Sequence, residues 1–278
     1  MRILVVGDVH GNTDFMRTAI LRAVARGITT ILQVGDFGYW PHTKSGEKFL
    51  ADLERTAAEH GVTVWWIDGN HENHEWLGLM HRADDGTVRI SEHCRYLPRG
   101  HRWEWNGLRF GALGGAFSID WRLRVPMVSW WPQEVVHLRD VERLGTEPLD
   151  VLVTHDHPAG IDLPTGFALR PADQAMSDEQ RLLLREAVDQ TNPRLVLHGH
   201  WHYRHTARLQ RVNRPPVLIE GLGCDSDGED ALLELDLAKL LKQGDSGSMV
   251  STRSLPGTTE SLQIDTFGGP IAKLGDLG

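Results

Sequence analysis

Acidic, amide and imidazole side chains follow five apolar runs of this sequence. The first run, Ile3 to Val6, leads directly into G-D-V-H, which contains Asp8 and His10. Residues two apart in an extended chain point to the same side, so this carboxylate and this imidazole leave the strand together. The later runs are followed by Asp36, by Asn70, by His155, and by His200 and His202. Oxygen and nitrogen donors without a thiolate are typical of Mn, Fe, Zn or Co in a hydrolytic site.

The number of these donors indicates how many ions they bind. Seven side chains are too many for one four-coordinate ion that keeps an open position. They suffice for two ions about 3.5 to 4 Å apart, provided that one carboxylate bridges them. The donor set therefore predicts a dinuclear metal centre.

Helical segments separate the first three apolar runs. Asn12 is a typical N-cap for a helix to about Ala25, and a second helix, from about Glu47 to Glu59, is stopped by Gly61. This alternation predicts parallel strands joined by right-handed crossovers. The carboxyl ends of such strands share one edge of the sheet, where ligands collect. We therefore expect the donors to meet at that edge.

The second half of the chain contains different signals. Asn106-Gly107 between two strand-like segments predicts a tight type I′ hairpin. A helix is expected to start behind Pro132, because proline favours the first helical position. Ser177 and Gln180 form a capping box that predicts a helix to about Gln190.

The motifs themselves resemble those of a known family. The blocks G-D-V-H, G-D, G-N-H-E, T-H and G-H-W-H, which span residues 7 to 202, resemble the five signature motifs of the calcineurin-like metallophosphoesterases in order and in strand-end placement. The resemblance implies an α/β fold, a four-layer αββα sandwich of two mixed β-sheets flanked by helices. It implies that the first metal is held by Asp8, His10, Asp36 and His202. It implies that the second is held by Asp36, Asn70, His155 and His200, and that the catalytic residues are the bridging Asp36 and His71.

The resemblance also implies a reaction. The expected function is hydrolysis of a phosphomonoester or a compact, possibly nucleotide-like phosphodiester by a hydroxide that bridges two divalent ions, with manganese expected in vitro. One alternative is a protein or nucleic-acid phosphoesterase. Protein phosphatases carry Asp-Arg-Gly after the second motif, whereas this chain reads G-D-F-G-Y-W. Another is a catalytically silent binding scaffold, but such members lose ligands or the catalytic histidine, and none is lost here.

Substrate contacts are expected from the loop between the third and fourth motifs. Arg122 or Arg124 could bind a phosphate through two parallel hydrogen bonds. Phe117, Trp121, Tyr39 or Trp40 could stack on a planar group, and His157 could also contact the substrate. The alternative is that the aromatic side chains pack this loop onto the body and that His157 is an ordinary loop residue.

Composition sets the remaining expectations. The sequence of 278 residues is 40% apolar and 24% charged, as in a soluble globular protein, and its net charge of -9 argues against nucleic acid as the partner and for a small phosphorylated substrate. No apolar run reaches the length of a membrane span or of a signal-peptide core, and the two cysteines form no disulfide framework, which together predict a cytoplasmic protein. We expect a catalytic domain over residues 1–241. A flexible tail rich in Gly, Ser and Thr is expected over residues 242–278.

Overall fold

Two six-stranded β-sheets form the centre of the computed structural model, which describes residues 1–164 and 168–245. The first sheet has the strand order β12-β1-β2-β3-β5-β4. Its strands are β1 (Arg2–Val6), β2 (Thr30–Gln33), β3 (Thr63–Trp66), β4 (Val88–Arg89), β5 (Cys94–Tyr96) and β12 (Leu232–Asp236). β1, β2, β3 and β5 are parallel, and the edge strands β12 and β4 are antiparallel to their neighbours.

The second sheet has the order β10-β11-β9-β8-β7-β6. Its strands are β6 (Arg102–Trp105), β7 (Leu108–Leu113), β8 (Val151–Thr154), β9 (Leu195–His198), β10 (His205–Arg211) and β11 (Arg214–Gly221). β7, β8, β9 and β11 are parallel, and a hairpin adds an antiparallel strand at each edge. The second half of the chain thus contributes as many parallel strands as the first.

Five helices of the described residues pack on the outer faces of the two sheets, and a sixth contributes Leu237 and Leu240 to the core between them. The helices are α1 (Thr13–Ala25), α2 (Lys44–His60), α3 (His74–Leu79), α4 (Leu138–Leu144), α5 (Pro171–Thr191) and α6 (Leu237–Asp245). Apolar residues of α1 and α2 pack against the first sheet, and those of α4 and α5 pack against the second. A third core, which includes Ile3, Val5, Phe110 and Val151, lies between the two sheets. The predicted four-layer sandwich is confirmed.

Local signals predicted some elements and failed for others. The Asn12 side chain caps α1 by accepting a hydrogen bond from the backbone N–H of Phe15. Asn106 and Gly107 both have positive φ, as the predicted type I′ turn requires. Only one 3-10 turn, Pro132–Glu134, follows Trp131 at the predicted helix start, and the α-helix begins later, at Leu138.

The predicted start of the helix at Ser177 is wrong. α5 begins at Pro171, so Ser177 and Gln180 lie within the helix. Proline at the first helical position supplies the start, because its missing N–H and fixed φ cost nothing there. The Gln180 side chain instead accepts a hydrogen bond from the backbone N–H of Val136 at 2.6 Å.

The end of the described chain lies close to the predicted domain boundary. α6 crosses the position between residues 241 and 242 and ends at Asp245. Residues 246–278, where most of the predicted tail falls, lie outside the described residues, so the tail stays a prediction. Within residues 1–164 and 168–245, no helix has the length and apolar content needed to cross a bilayer.

Candidate metal centre

The predicted donors meet where the parallel strands of the two sheets end. Asp8 and His10 follow β1, Asp36 follows β2, and Asn70 and His71 follow β3. His155 follows β8, and His200 and His202 follow β9. We call the seven predicted metal ligands the donor cluster. Its members are Asp8, His10, Asp36, Asn70, His155, His200 and His202.

The backbone is strained where it delivers these side chains. Eight non-glycine residues in the described part of the chain have positive φ, and half of them belong to the donor cluster: His10, Asp36, His200 and His202. Such a conformation costs of order 1–3 kcal/mol per residue and persists only where the surrounding structure enforces it. A concentration of such residues is typical of functional sites and favours the donor cluster as a candidate.

The glycines of the motifs make room for the carboxylates. A Cβ atom on Gly199 would overlap the Asp8 carboxylate, and one on Gly69 would overlap both the carboxylate and the backbone nitrogen of Asp36. The backbones of two other strand ends can therefore approach the acidic groups closely. The backbone N–H of His200 uses this proximity and donates to both Asp8 carboxylate oxygens at 3.0 and 3.1 Å.

The first predicted set of ligands forms a tight group. Asp8 and Asp36 are buried, and one donor atom from each of Asp8, His10, Asp36 and His202 lies within 4.8 Å of every other. His202 Nε2 is 3.1 Å from Asp8 Oδ2, and His10 Nε2 is 3.5 Å from Asp36 Oδ2. These atoms are close enough to share one cation.

The second predicted set meets on the other oxygen of Asp36. His155 Nε2 lies 3.3 Å from Asp36 Oδ1 and 3.1 Å from Asn70 Oδ1. The His200 ring lies beside that of His155, with ring centroids 5.1 Å apart. Asp36 thus presents Oδ2 to the first set and Oδ1 to the second, which is the arrangement a bridging carboxylate needs.

The hydrogen bonds of His155 test whether a cation fits. Its Nδ1 is 2.9 Å from the carbonyl oxygen of Val34, which can only accept, so Nδ1 carries the proton. In a neutral imidazole, Nε2 then offers a lone pair to Asp36 and Asn70, whose facing oxygens are acceptors as well. Lone pairs that face one another at these distances repel unless a positive charge lies between them, and a metal ion fits this donor set.

The electrostatics of the donor cluster favour positive charge in the same place. Burial lowers the pKa of His155, but the carboxylates of Asp36 and Asp8 outweigh it and raise the pKa to about 10. Burial also lowers the pKa of His202, and the hydrogen bond with Asp8 overcomes it, raising the pKa to about 10. A bound divalent cation would displace such protons, so metal binding and proton release are coupled.

His71 lies at the edge of the donor cluster beside an arginine. Its backbone N–H donates to Asp36 Oδ1 at 2.8 Å, and its ring nitrogen Nε2 is 3.9 Å from Asp36 Oδ2. Arg124 Nη2 lies 2.6 Å from His71 Nε2 and 2.8 Å from Asp120 Oδ1. Guanidinium only donates, so His71 Nε2 accepts and the ring is neutral. Burial likewise lowers the pKa of His71 well below its usual range, and the charge of Arg124 acts in the same direction.

The structure also contains contacts that the sequence motifs did not indicate. Ser118 Oγ accepts a hydrogen bond from Asn70 Nδ2 at 3.0 Å, which leaves Asn70 Oδ1 facing His155. The buried Glu134 fixes Ser118, because its Oε1 accepts the Ser118 backbone N–H at 3.0 Å. Neither residue belongs to a motif, and no spacing rule would have identified them.

Asp225 supports His10 in a similar way. Its carboxylate lies 3.3 Å from His10 Nδ1 and accepts from Asn12 Nδ2 at 2.7 Å. A weaker sequence signal was available here, because the strand that contains the apolar run 217–219 is followed by Gly223 and then by Asp225.

Most of the predicted substrate contacts have partners elsewhere. Tyr39 and Phe117 are 4% and 2% exposed, so both rings belong to the packed interior, and this geometry favours the packing alternative over stacking on a ligand. Arg122 pairs with Asp173 at 2.5 Å and lies over the Trp121 ring, which shares that carboxylate.

His157 is the remaining case. It is buried against the Trp201 ring, and its Nδ1 lies 3.0 Å from the carbonyl oxygen of Pro158. The alternative interpretation, a packed loop histidine, therefore describes it better than substrate contact. Arg124 is the predicted substrate residue that reaches the donor cluster.

Comparisons with known proteins agree with this geometry. A family model described as calcineurin-like phosphoesterase matches residues 1–204. The crystal structure of TT1561 of Thermus thermophilus is 16% identical, with a TM-score of 0.52 over 86% of this chain and 95% of that one. This likeness shows the fold.

Two further solved structures are similar. A novel archaeal phosphodiesterase is 16% identical over 86% of this chain and 95% of its own, with a TM-score of 0.39. A dimetal phosphatase from Danio rerio is 13% identical over 84% of this chain and 91% of its own, with a TM-score of 0.46. No curated protein matches the sequence.

Proposed function

The chain belongs to the calcineurin-like phosphoesterase family, and from this membership we propose that it hydrolyses a small phosphoester at the donor cluster with two divalent metal ions bound. The observation that carries the proposal is the placement of Asp36. Its two carboxylate oxygens face two separate groups of nitrogen and oxygen donors, with His10 Nε2 at 3.5 Å from one oxygen and His155 Nε2 at 3.3 Å from the other. This is what a pair of ions sharing one carboxylate requires.

The side chains divide the work between holding the ions and handling the substrate. Asp8, His10, Asp36 and His202 would hold one ion, and Asp36, Asn70, His155 and His200 would hold the other. When bound, the two ions lower the pKa of a water molecule to about 7 and offset the charge on phosphoryl oxygens. The absence of thiolates from this set favours manganese or another ion that accepts oxygen and nitrogen ligands.

Arg124 is the group best placed to bind the phosphoryl oxygens. Its guanidinium is nearly buried, and Asp120 fixes it from the side, with Nε 2.9 Å from Oδ2. Its contact with His71 Nε2 directs one N–H toward the donor cluster. An anionic ester bound there would accept a charge-assisted hydrogen bond from this arginine.

His71 is neutral before substrate binds, for the reasons given above. A negatively charged phosphoester beside the ring favours the imidazolium form and raises the pKa again. We therefore assign His71 the task of taking up a proton with the substrate and delivering it to the leaving-group oxygen.

The substrate we propose is a phosphomonoester or a compact phosphodiester, nucleotide-like compounds included. The net charge of -9 disfavours a polyanion such as nucleic acid. The cytoplasm is our proposed compartment, since Cys94 and Cys224 are both free thiols.

A metal-reconstitution assay tests the proposal. The purified protein is stripped with a chelator and reloaded with Mn, Fe(II), Zn or Co. Each form is assayed with p-nitrophenyl phosphate, bis(p-nitrophenyl) phosphate, cyclic nucleotides and phosphopeptides, with Asp36→Asn as the inactive control. We expect metal-dependent hydrolysis of one of the small esters. Two bound ions without turnover of any substrate would contradict the proposal and favour a binding scaffold.

A further inference from the structure

Exposed apolar side chains are concentrated in one turn beside the donor cluster. Leu123 is 83% exposed, and Val125, Met127 and Val128 are 48 to 50% exposed. We call residues 123–128 the apolar turn. Single exposed apolar residues are ordinary, whereas four within six residues of one turn favour a binding surface.

The apolar turn has an ordered backbone. The carbonyl oxygen of Val125 accepts hydrogen bonds from the backbone N–H groups of Val128 at 3.1 Å, Ser129 at 2.9 Å and Trp130 at 3.2 Å. The Met127 N–H donates to the Trp130 carbonyl oxygen at 2.8 Å, and Met127 has a φ of +59°, which is costly for a side chain of this size. The backbone thus satisfies its own polar groups while it holds apolar side chains toward solvent.

One residue within the apolar turn, Arg124, reaches the donor cluster. Leu123 and Val125 are the chain neighbours of Arg124, whose Nη2 lies 2.6 Å from His71 Nε2 and whose Nη1 lies 3.5 Å from the Asn70 carbonyl oxygen. A molecule whose phosphate is bound beside His71 therefore has apolar surface within its reach. The exposed apolar side chains and the reactive groups are thus connected through Arg124.

Charge decides which kind of partner fits this surface. The arginine within the apolar turn and the arginine just before it are already paired. Arg124 pairs with Asp120, and Arg122 pairs with Asp173. An anionic membrane or a nucleic acid is attracted by unpaired positive charge, which these two arginines do not supply. An uncharged apolar group needs no such charge.

We propose that the apolar turn binds the organic group of the substrate, so that the substrate is a phosphoester of an alcohol with a long alkyl chain. This inference rests on the proposed function, because the phosphate is placed at the donor cluster. The phosphoester bond that is hydrolysed is the one to that alcohol or to a second small substituent.

Chain length provides the test. The Mn-loaded protein is assayed with n-alkyl phosphates and n-alkyl p-nitrophenyl phosphates from butyl to decyl, whose alcohols have nearly the same acidity. Burial of one methylene is worth about 0.8 kcal/mol, so kcat/KM should rise about two- to fourfold per methylene until the turn is covered. Leu123→Ser and Val125→Ser should reduce this factor per methylene toward one, so that kcat/KM no longer depends on chain length. The matched control is Val212→Ser, which removes a side chain that is 87% exposed at another turn and should keep the wild-type factor.

A binding measurement separates this inference from the proposed function. The Kd values of n-alkylphosphonates, which are not hydrolysed, are measured by calorimetry over the same lengths. Affinity that grows with chain length in the wild type and not in Leu123→Ser supports the inference, even if no ester is turned over and the proposed function fails. Ester hydrolysis with flat kcat/KM and flat Kd would overturn the inference and leave the proposed function intact.

Two other occupants would also overturn it. One is a lipid surface, indicated if the wild type but not Val125→Ser sediments with phosphatidylcholine–phosphatidylglycerol vesicles while the chain-length series stays flat. The other is a second copy of the chain, indicated by a concentration-dependent dimer that Leu123→Ser abolishes.

Discussion

Replacing Ser118 by alanine should weaken the binding of one metal ion and leave the other unchanged. Ser118 Oγ accepts from Asn70 Nδ2 at 3.0 Å, and both residues are buried. The substitution leaves the Asn70 amide without this partner, which costs about 1–3 kcal/mol. It also frees the amide to rotate, so that Oδ1 no longer stays beside His155 Nε2.

The expected magnitude follows from this geometry. Loss of a hydrogen bond that orients a metal ligand typically reduces metal affinity about 10- to 100-fold, which corresponds to roughly 1.4 to 2.7 kcal/mol and agrees with the cost of the unpaired amide. Asp8, His10 and His202 form the other set of donors, on the Oδ2 side of Asp36. The ion that they would share should therefore keep its affinity within about twofold, since this set does not include Asn70.

Calorimetric titration of the chelator-stripped protein with Mn²⁺ measures both sites. The wild type should show two binding events, and Ser118→Ala should shift one of them. Ser129→Ala is the matched control, because it removes a hydroxyl group from the same loop that bonds to the Val125 backbone N–H. Two unchanged affinities in Ser118→Ala would refute the reasoning. An equal loss at both sites, with a lowered Tm, would show that the serine supports the fold and not the asparagine.

Four further outcomes are expected. Asp36→Asn should abolish both metal occupancy, measured by elemental analysis, and turnover, because each set of donors loses its shared carboxylate. His71→Ala should keep both ions but reduce kcat about 10²- to 10⁴-fold, the usual contribution of proton transfer, and metal loss would contradict its assigned role. Arg124→Gln should reduce kcat/KM about 10- to 100-fold through the lost charged hydrogen bond, with metal content unchanged. Burial lowers the pKa of His74 in the folded protein to about 4. In the metal-stripped protein this group therefore contributes up to about 3 kcal/mol to the free energy of unfolding above pH 6.5, and that contribution is lost as the pH falls toward 4. Urea unfolding of His74→Gln should show a flatter pH dependence between pH 6.5 and 4.

The donor cluster could be predicted because one simple signal repeats. An apolar run followed within a few residues by a polar donor, with a glycine before the donor in four of the five motifs, identifies a strand end, and parallel strands bring their ends to one edge. The glycine in that signal has a direct physical cause, since a side chain at Gly199 would occupy the position of the Asp8 carboxylate. The pattern therefore records the packing of the site itself.

The aromatic residues near the site could not be assigned in this way. Tyr39 and Phe117 lie in loops without periodicity, so the sequence does not indicate which side of the loop faces the interior. Their burial follows from tertiary packing, as when the Tyr39 ring packs against Trp66 with centroids 5.6 Å apart. Ser118 and Glu134 escaped notice for the same reason, because their importance depends on contacts made across the fold.

Asp225 shows how far the same signal extends. β11 is parallel to β9 and adjacent to it, so its carboxyl end lies at the edge that carries His200 and His202. The apolar run 217–219, Gly223 and Asp225 form a looser version of the pattern, and the carboxylate reaches His10 Nδ1 at 3.3 Å. Because a carboxylate only accepts, it holds the proton on Nδ1 and leaves the Nε2 lone pair for the side facing Asp36. A strand end that contributes no ligand of its own thus determines which nitrogen of a neighbouring ligand is available to a metal.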